Sequence, residues 1–370
     1  MGVTEPAHVA GVRLHSRAPV TVPWLARAVV PPARRLRDEG FAIVYLRRGW
    51  LHGPHVDIVA RGARHDGPAW PRIAQSLDAG ELDPATALTD EAYLAQAREF
   101  GRMEAVPPPY LPLREHGAVE FLGPDDLVST EPRLDQLREI SYNVMASPLM
   151  SMISELADGR ADAAVRLAEA FIALTDTHPL GPAHGVFSLR SHAEGFLAWT
   201  APSADARPAF ARRLAAEEAR LRPVVEQRIA GQPSPAAAAW RTAFAYCAGA
   251  LDNAVANGTL TLELLDSVTA QADRSTMGPP GAPDTVPAGD IPDTAFHRAV
   301  DEAGLTTGLT QWFASYRLLV NLFYQQLPLL AVFPLQRYYM CYAIAKLVDD
   351  VLGESWQDRL ERMRETAGAA

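Results

Sequence analysis

From Glu131 onward the chain returns, segment after segment, to apolar residues spaced three and four apart, and that period most constrains its fold. Only a helix places positions i, i+3, i+4 and i+7 on one face, so each such segment predicts an amphipathic helix that needs a partner. The period runs through 134–155, 161–176, 191–200, 209–230 and 235–256, and again through 309–327 and 334–352. So many apolar stripes must cover one another, which predicts a packed helical body. At 370 residues the chain can bury a substantial core, in one large domain or two closely packed ones.

Ahead of that body the pattern changes. FAIVYLRR (41–48) and HVDIVARG (55–62) are short β-branched runs separated by the turn-like GWLHGP, which predicts two neighbouring antiparallel strands. Helices are expected at 70–79 and 90–103, and a further strand in GAVEFLG (117–123). VPPPYLPL (106–113) excludes helix, because stacked prolines remove donors and fix φ; it reads as an extended segment that places Tyr110. The Pro/Gly-rich stretch 275–294 reads as a long loop, either a lid or disordered. The expected fold class is α+β: a small N-terminal antiparallel sheet region, residues 1–130, packed on a larger helical body, residues 131–370.

Composition removes several functions. The net charge of −10 with no basic stripe argues against nucleic acid. Cys247 and Cys341 stand alone, without C-x-x-C spacing, so neither a disulfide framework nor a cysteine zinc site is expected. The N-terminus carries no apolar run followed by a small-residue cleavage site. The most apolar stretch, 312–333, is interrupted by Arg317, Asn321, Gln325, Gln326 and Pro328, and reads as a core helix rather than a membrane span. A cytoplasmic protein with no membrane contact is the expectation.

Four clusters carry chemistry-bearing residues. In HGPH, His52 and His55 with Asp57 and His65 could offer metal ligands, but the Gly-Pro between the histidines favours a turn with surface histidines, and no metal site is expected. In PPPYLPLREHG, Tyr110 and His116 either line a cavity or belong to a packed connector. In SYRLLVNLFYQQL (315–327), Arg317, Asn321 and Tyr324 share one helix face, and polar groups in so apolar a helix must be paired or face a cavity; Tyr338 and Tyr342 extend that wall. In SLRSHAE (188–194), Ser191 and Glu194 have the spacing of a capping box, which would make Ser191 a helix start. Ser188 and Arg190 would then lie on the extended chain before it, and His192 in the first helical turn, where the dipole favours a neutral imidazole.

Taken together, RRGWLHGPHVDIVAR, GVFSLRSHAEGFL and YRLLVNLFYQQLPLLAVFPLQRYYMCYAIA resemble the C-terminal domain of lantibiotic dehydratases and its stand-alone relatives in thiopeptide biosynthesis, over roughly residues 20 to 355. That resemblance implies an enzyme acting on a ribosomally made precursor peptide. Two activities are implied by the scaffold: elimination of glutamate from glutamylated Ser/Thr, and formal aza-[4+2] cycloaddition of two dehydroalanines, which builds a pyridine and releases water and the leader peptide. Eliminating relatives carry an H-x-R-x-R strand, whereas Asp57 and Val59 take those positions here. An acidic and an apolar residue cannot clamp a departing carboxylate. The H-M-x-x-N-R segment is also altered, since Asn321 is followed by Leu322.

The pyridine synthase branch is therefore the expectation, with no cofactor. Its substrate would be a precursor with a leader and a dehydrated, azole-containing core, and a homodimer is left open. The implied catalytic residues are His192 as acid/base, Tyr316 or Tyr324 as hydroxyl donor, and Arg317 and Asn321 on peptide carbonyls. Arg190, Ser188, Tyr110, His55 and Tyr338 would bind substrate. Two further readings are an eliminating lyase that holds glutamate with Arg47, Arg48 or Arg61, and a catalytically silent partner that binds the leader. An extended leader could add as a strand to the edge of the N-terminal sheet.

Overall fold

The computed structural model describes residues 9–62, 70–104, 106–129, 131–270, 293–304 and 312–368. His65 and positions 275–292 of the Pro/Gly-rich stretch lie outside them. The chain divides into two compact units. One comprises Met1–Arg160, Glu263–Asp273 and Asn321–Val332; the other comprises Ala161–Leu262, Arg274–Val320 and Phe333–Ala370. No helix among the described residues is long and apolar enough to cross a membrane.

In chain order the first unit runs β1 (Gly11–His15), α1 (Val22–Ala28), α2 (Val30–Asp38), β2 (Ile43–Gly49), β3 (His55–Arg61), α3 (Trp70–Ser76), α4 (Asp90–Glu104), β4 (Val119–Leu122) and α5 (Asp135–Ala157). Its four strands form one antiparallel sheet in the order β2-β3-β1-β4. Strand alternation sorts the side chains. Val12, Leu14, Val44, Leu46, Val56 and Ile58 share one buried face. On the other face the register aligns Glu120, Arg13, Asp57 and Arg47 in a row across all four strands.

The two sheet edges differ. At β2, Asn143 of α5 accepts the Val44 N–H (2.8 Å) and donates to the Ala42 carbonyl (3.2 Å), while Arg37 donates to the Val44 carbonyl (2.8 Å). That edge is closed to a further strand. At β4, His15 N–H donates to Ala118 (2.9 Å), so Ala118, Glu120 and Leu122 turn toward β1. The backbone groups of Val119 and Phe121 face away from β1 and meet no partner among the described residues.

Helices follow: α6 (Ala163–Thr175), α7 (Pro182–Ala204), α8 (Arg207–Ile229), α9 (Pro235–Ala256), α10 (Leu262–Ala270), α11 (Ala295–Glu302), α12 (Trp312–Gln326), α13 (Pro334–Leu352) and α14 (Trp356–Gly368). In the second unit α6 is central: Leu167 to Thr175 are buried without exception, as expected of a helix surrounded by others. Glu169 inside this run is satisfied by Arg166 at 2.7 Å and by the Ser234 hydroxyl.

The α+β class holds. SLRSHAE, however, is not a helix start: α7 begins at Pro182, nine positions before Ser191, so these residues lie in its middle. The chain before Ser191 is helical rather than extended, and Pro182 sits in the first turn, where its missing N–H costs nothing. Gly185 is needed because a Cβ there would lie 2.0 Å from the Thr175 carbonyl oxygen of α6.

Candidate functional site

The expected capping box is absent, because mid-helix N–H groups are already bonded along the helix. Ser191 and Glu194 point elsewhere, Ser191 to His297 and Glu194 to Arg207 (3.2 Å). Ser188 and Arg190 are helical rather than extended. Ser188 is half-buried, whereas Arg190 is buried and donates to the Ala345 carbonyl (3.0 Å) and to Asp349 of α13. Asp349 also accepts from Arg359 of α14 (2.6 Å), whose side chain is fully buried. Arg190 is thus a strut between helices.

His192 is half-buried, and its imidazole is pushed down to about 4 by burial first, then by Arg337 and His297. It is neutral at pH 7 for that reason, not through a helix terminus. Tyr338 stacks face to face on Phe196, centroids 4.3 Å apart, with the Arg337 guanidinium 4.6 Å from its ring. Tyr316 is buried and its hydroxyl donates to the Gly185 carbonyl (2.9 Å), with burial raising its pKa well above the ordinary tyrosine range. His178 packs edge-on against the Tyr316 ring (5.9 Å) and is pushed down to about 4 by burial and by His184.

Along α12 the three polar positions do not share one environment. Arg317 is half-buried, Asn321 is exposed and Tyr324 is buried. Asn321 meets solvent, so the argument that a polar group there must be paired does not apply to it.

The other predicted residues belong to the first unit. Tyr110 is buried and donates to the Val106 carbonyl (2.9 Å), while its own carbonyl accepts from Tyr93 (3.2 Å). It lines an open groove of about 740 Å³ with Leu94, Arg98, Pro108, Pro109 and Leu111. His116 is bonded through both ring nitrogens, to the Arg17 N–H (3.1 Å) and the Gly80 carbonyl (2.9 Å). His55 is not a surface residue: it is buried on β3 over Gly49, where any Cβ would collide with its ring at 2.1 Å. Burial pushes its imidazole down to about 3.

Beside His55 the row across the sheet is a charged cluster of which sequence reasoning had singled out only Asp57 and Arg47. Asp57 is fully buried and accepts from Arg13 (2.8 and 3.1 Å) and from Arg47 (3.0 and 2.7 Å). Burial raises its pKa, but the bond from Arg13 and the charges of His55, Arg13 and Arg47 prevail and hold it at about 2. Glu120 pairs with His15 (3.1 Å) and Arg114 (2.7 Å), and is held at about 2 mainly by His15. Arg48 donates to the Pro328 carbonyl (2.8 Å) and Arg61 pairs with Glu139 (3.1 Å). Each arginine that a glutamate clamp would need already has an internal partner. Among the described residues no group of three or more His, Cys, Asp or Glu is arranged to hold a metal ion.

This fold, with both compact units, is shared along nearly its whole length by solved structures. The chain is similar over 93% of its length to the pyridine synthase TbtD from thiomuracin biosynthesis, covering 98% of that chain at 19% identity and a TM-score of 0.56. It is likewise similar to TsrL, over 95% of this chain and 97% of that one, at 16% identity and a TM-score of 0.58. No known family's sequence profile matches the chain, and no curated protein matches it.

Proposed function

We propose that this chain is a thiopeptide-type maturation enzyme that joins two dehydroalanines of a precursor peptide into a pyridine, with loss of water and leader. The observation that carries the reading is the end-to-end likeness of fold to TbtD, which spans both units and nearly all of that chain. The sheet supports it over glutamate elimination, since Asp57 already occupies the two guanidiniums beside His55. Cyclisation needs no carboxylate clamp; it needs two alkenes held together and proton transfer to one amide.

In this reading the N-terminal region, residues 1–130, receives the leader along the open edge of β4, and the helical body, from 131 onward, carries the chemistry in the cytoplasm. His192, Ser188 and Arg317 are half-buried and Asn321 is exposed; His192 remains a candidate acid/base, and Ser188, Arg317 and Asn321 candidates to bind the peptide. Tyr316 and Arg190 are committed to internal partners.

The test is mass spectrometry of a precursor that bears two dehydroalanines and its leader, incubated with this protein alone. Loss of one water and appearance of free leader support the reading. An unchanged dehydrated peptide, with a glutamylated one losing glutamate instead, overturns it in favour of elimination.

A further inference from the structure

Thr294, His297 and Ser191 form one hydrogen-bonded line in the helical unit. Thr294 caps α11: its hydroxyl oxygen accepts the His297 backbone N–H (3.2 Å) and lies 2.8 Å from Nδ1 of the same residue. Across the ring, Nε2 lies 2.9 Å from the Ser191 hydroxyl on α7. The helix that carries it is held by its neighbours. Phe296 packs edge-on against Phe187 of α7 (5.8 Å) and Trp356 of α14 (5.2 Å), and Arg364 of α14 donates to the Ala299 carbonyl (3.3 Å). On α7, small residues one turn apart admit it: a Cβ on Gly195 would already touch the His297 ring at 3.8 Å.

An imidazole between two hydroxyls can donate through one nitrogen and accept through the other, so the line passes a proton in either direction. Burial lowers the His297 pKa, while Asp293 and Glu194 counteract that. Other charged or titratable groups on these elements include His184, Arg190 and His192 on α7, Arg298, Asp301 and Glu302 on α11, and Asp358, Arg359, Glu361, Arg362 and Arg364 on α14, of which Arg364 pairs with Glu302 (3.7 Å). Ser191 is half-buried rather than enclosed.

Building on the cyclase reading, we propose that Ser191, His297 and Thr294 are the proton relay that converts one substrate amide to its imidic form, with Ser191 meeting the amide and Thr294 positioning the ring. Ser191 takes the amide N–H proton as its own proton passes to Nε2, leaving an imidate and an imidazolium. The proton then returns from Nε2 through Ser191 to the amide oxygen. One N–H is exchanged for one O–H, and the protein ends unchanged. A single hydroxyl can serve both atoms because they share one carbon.

The test is kcat against pH for the full chain on the dehydrated precursor, with ¹⁵N NMR of histidine-labelled protein in parallel. Ser191→Ala and His297→Gln should each lower kcat by roughly 10²-fold or more with KM little changed, and should abolish the acid limb of the profile. Thr294→Val should slow the reaction, and Thr294→Ser should restore it. In the NMR arm, Ser191→Ala should move the Nε2 resonance of His297. Folded variants with wild-type kcat and profile would overturn the relay. If wild type makes no pyridine, the cyclase reading fails separately; the relay then stands or falls on the NMR arm, where an unmoved Nε2 resonance sinks it.

Discussion

Arg13 grips Asp57 from the neighbouring strand with two parallel bonds, Nε to one carboxylate oxygen at 2.8 Å and Nη2 to the other at 3.1 Å. The carboxylate is fully buried and Arg47 closes it from the far side, so the row is an ion cluster built into the sheet rather than an open anion site. Asp57→Asn leaves two guanidiniums facing each other and should lower stability by about 3 kcal/mol, read as a shifted urea midpoint. Because the folded pKa of about 2 lies below the ordinary aspartate value, this contribution is present above pH about 4 and is lost as pH falls toward 2, a difference of about 2–3 kcal/mol. A wild-type urea midpoint at pH 2.5 equal to that at pH 5 would contradict the pairing.

His55 gives a second acid limb, at higher pH. Its folded pKa of about 3 is depressed from the ordinary 6.5, so the unfolded chain binds the proton first. Stability should therefore be complete above pH about 6.5 and fall on acidification, by about 2 kcal/mol at pH 5 from this residue alone. His178 and His192, both held near 4, act in the same direction. Urea titrations at pH 7 and pH 5 check this, and His55→Gln should reduce the pH dependence. A Gln variant as pH-sensitive as wild type would remove His55 from the account.

Three of the four strands and most helices were legible because their apolar period is strong and their turns carry Gly and Pro. β2, β3 and α13 fall where the pattern puts them. What escaped was local structure whose signals point the wrong way. β1 has only Val12 and Leu14 as buried aliphatic positions, too short a run to mark a strand, and without β1 the partner Arg13 was invisible. The prolines that seem to break α1, α2 and α7 sit in their first turns, where they are tolerated. Ser191 and Glu194 matched a cap by spacing alone, and the match failed because the helix had already begun. His297 stood beside no motif; only the docking of α11 on α7 brings it to Ser191, although Thr294 three residues earlier has the mark of an N-cap.

Tyr316 was expected to donate its hydroxyl to substrate, and its position predicts otherwise. The hydroxyl is buried and bonded to Gly185, so Tyr316→Phe should remove about 1 kcal/mol of stability and leave turnover of the dehydrated precursor within about threefold of wild type. Steady-state assays by liquid chromatography decide this. A loss of roughly a hundredfold with unchanged stability would return the residue to the chemistry.

Leader docking can be tested at the open edge of the sheet. Val119 and Phe121 turn their N–H and C=O groups away from β1, and an extended peptide laid there would pair with them as a fifth strand. Phe121→Pro deletes one outward N–H while the inward-facing groups of Glu120 and Leu122 keep their bonds to β1. Its loss should weaken leader binding by about 1 kcal/mol, roughly fivefold in Kd, as measured by fluorescence anisotropy of a labelled leader. No bond of the native sheet is lost, so any fall in the urea midpoint reports the packing of the half-buried Phe121 ring, and leader affinity is compared on the folded variant. Arg37→Ala frees the Val44 carbonyl at the opposite edge, which Asn143 still covers, and its leader affinity should match wild type. Equal weakening by both substitutions would place the leader away from β4.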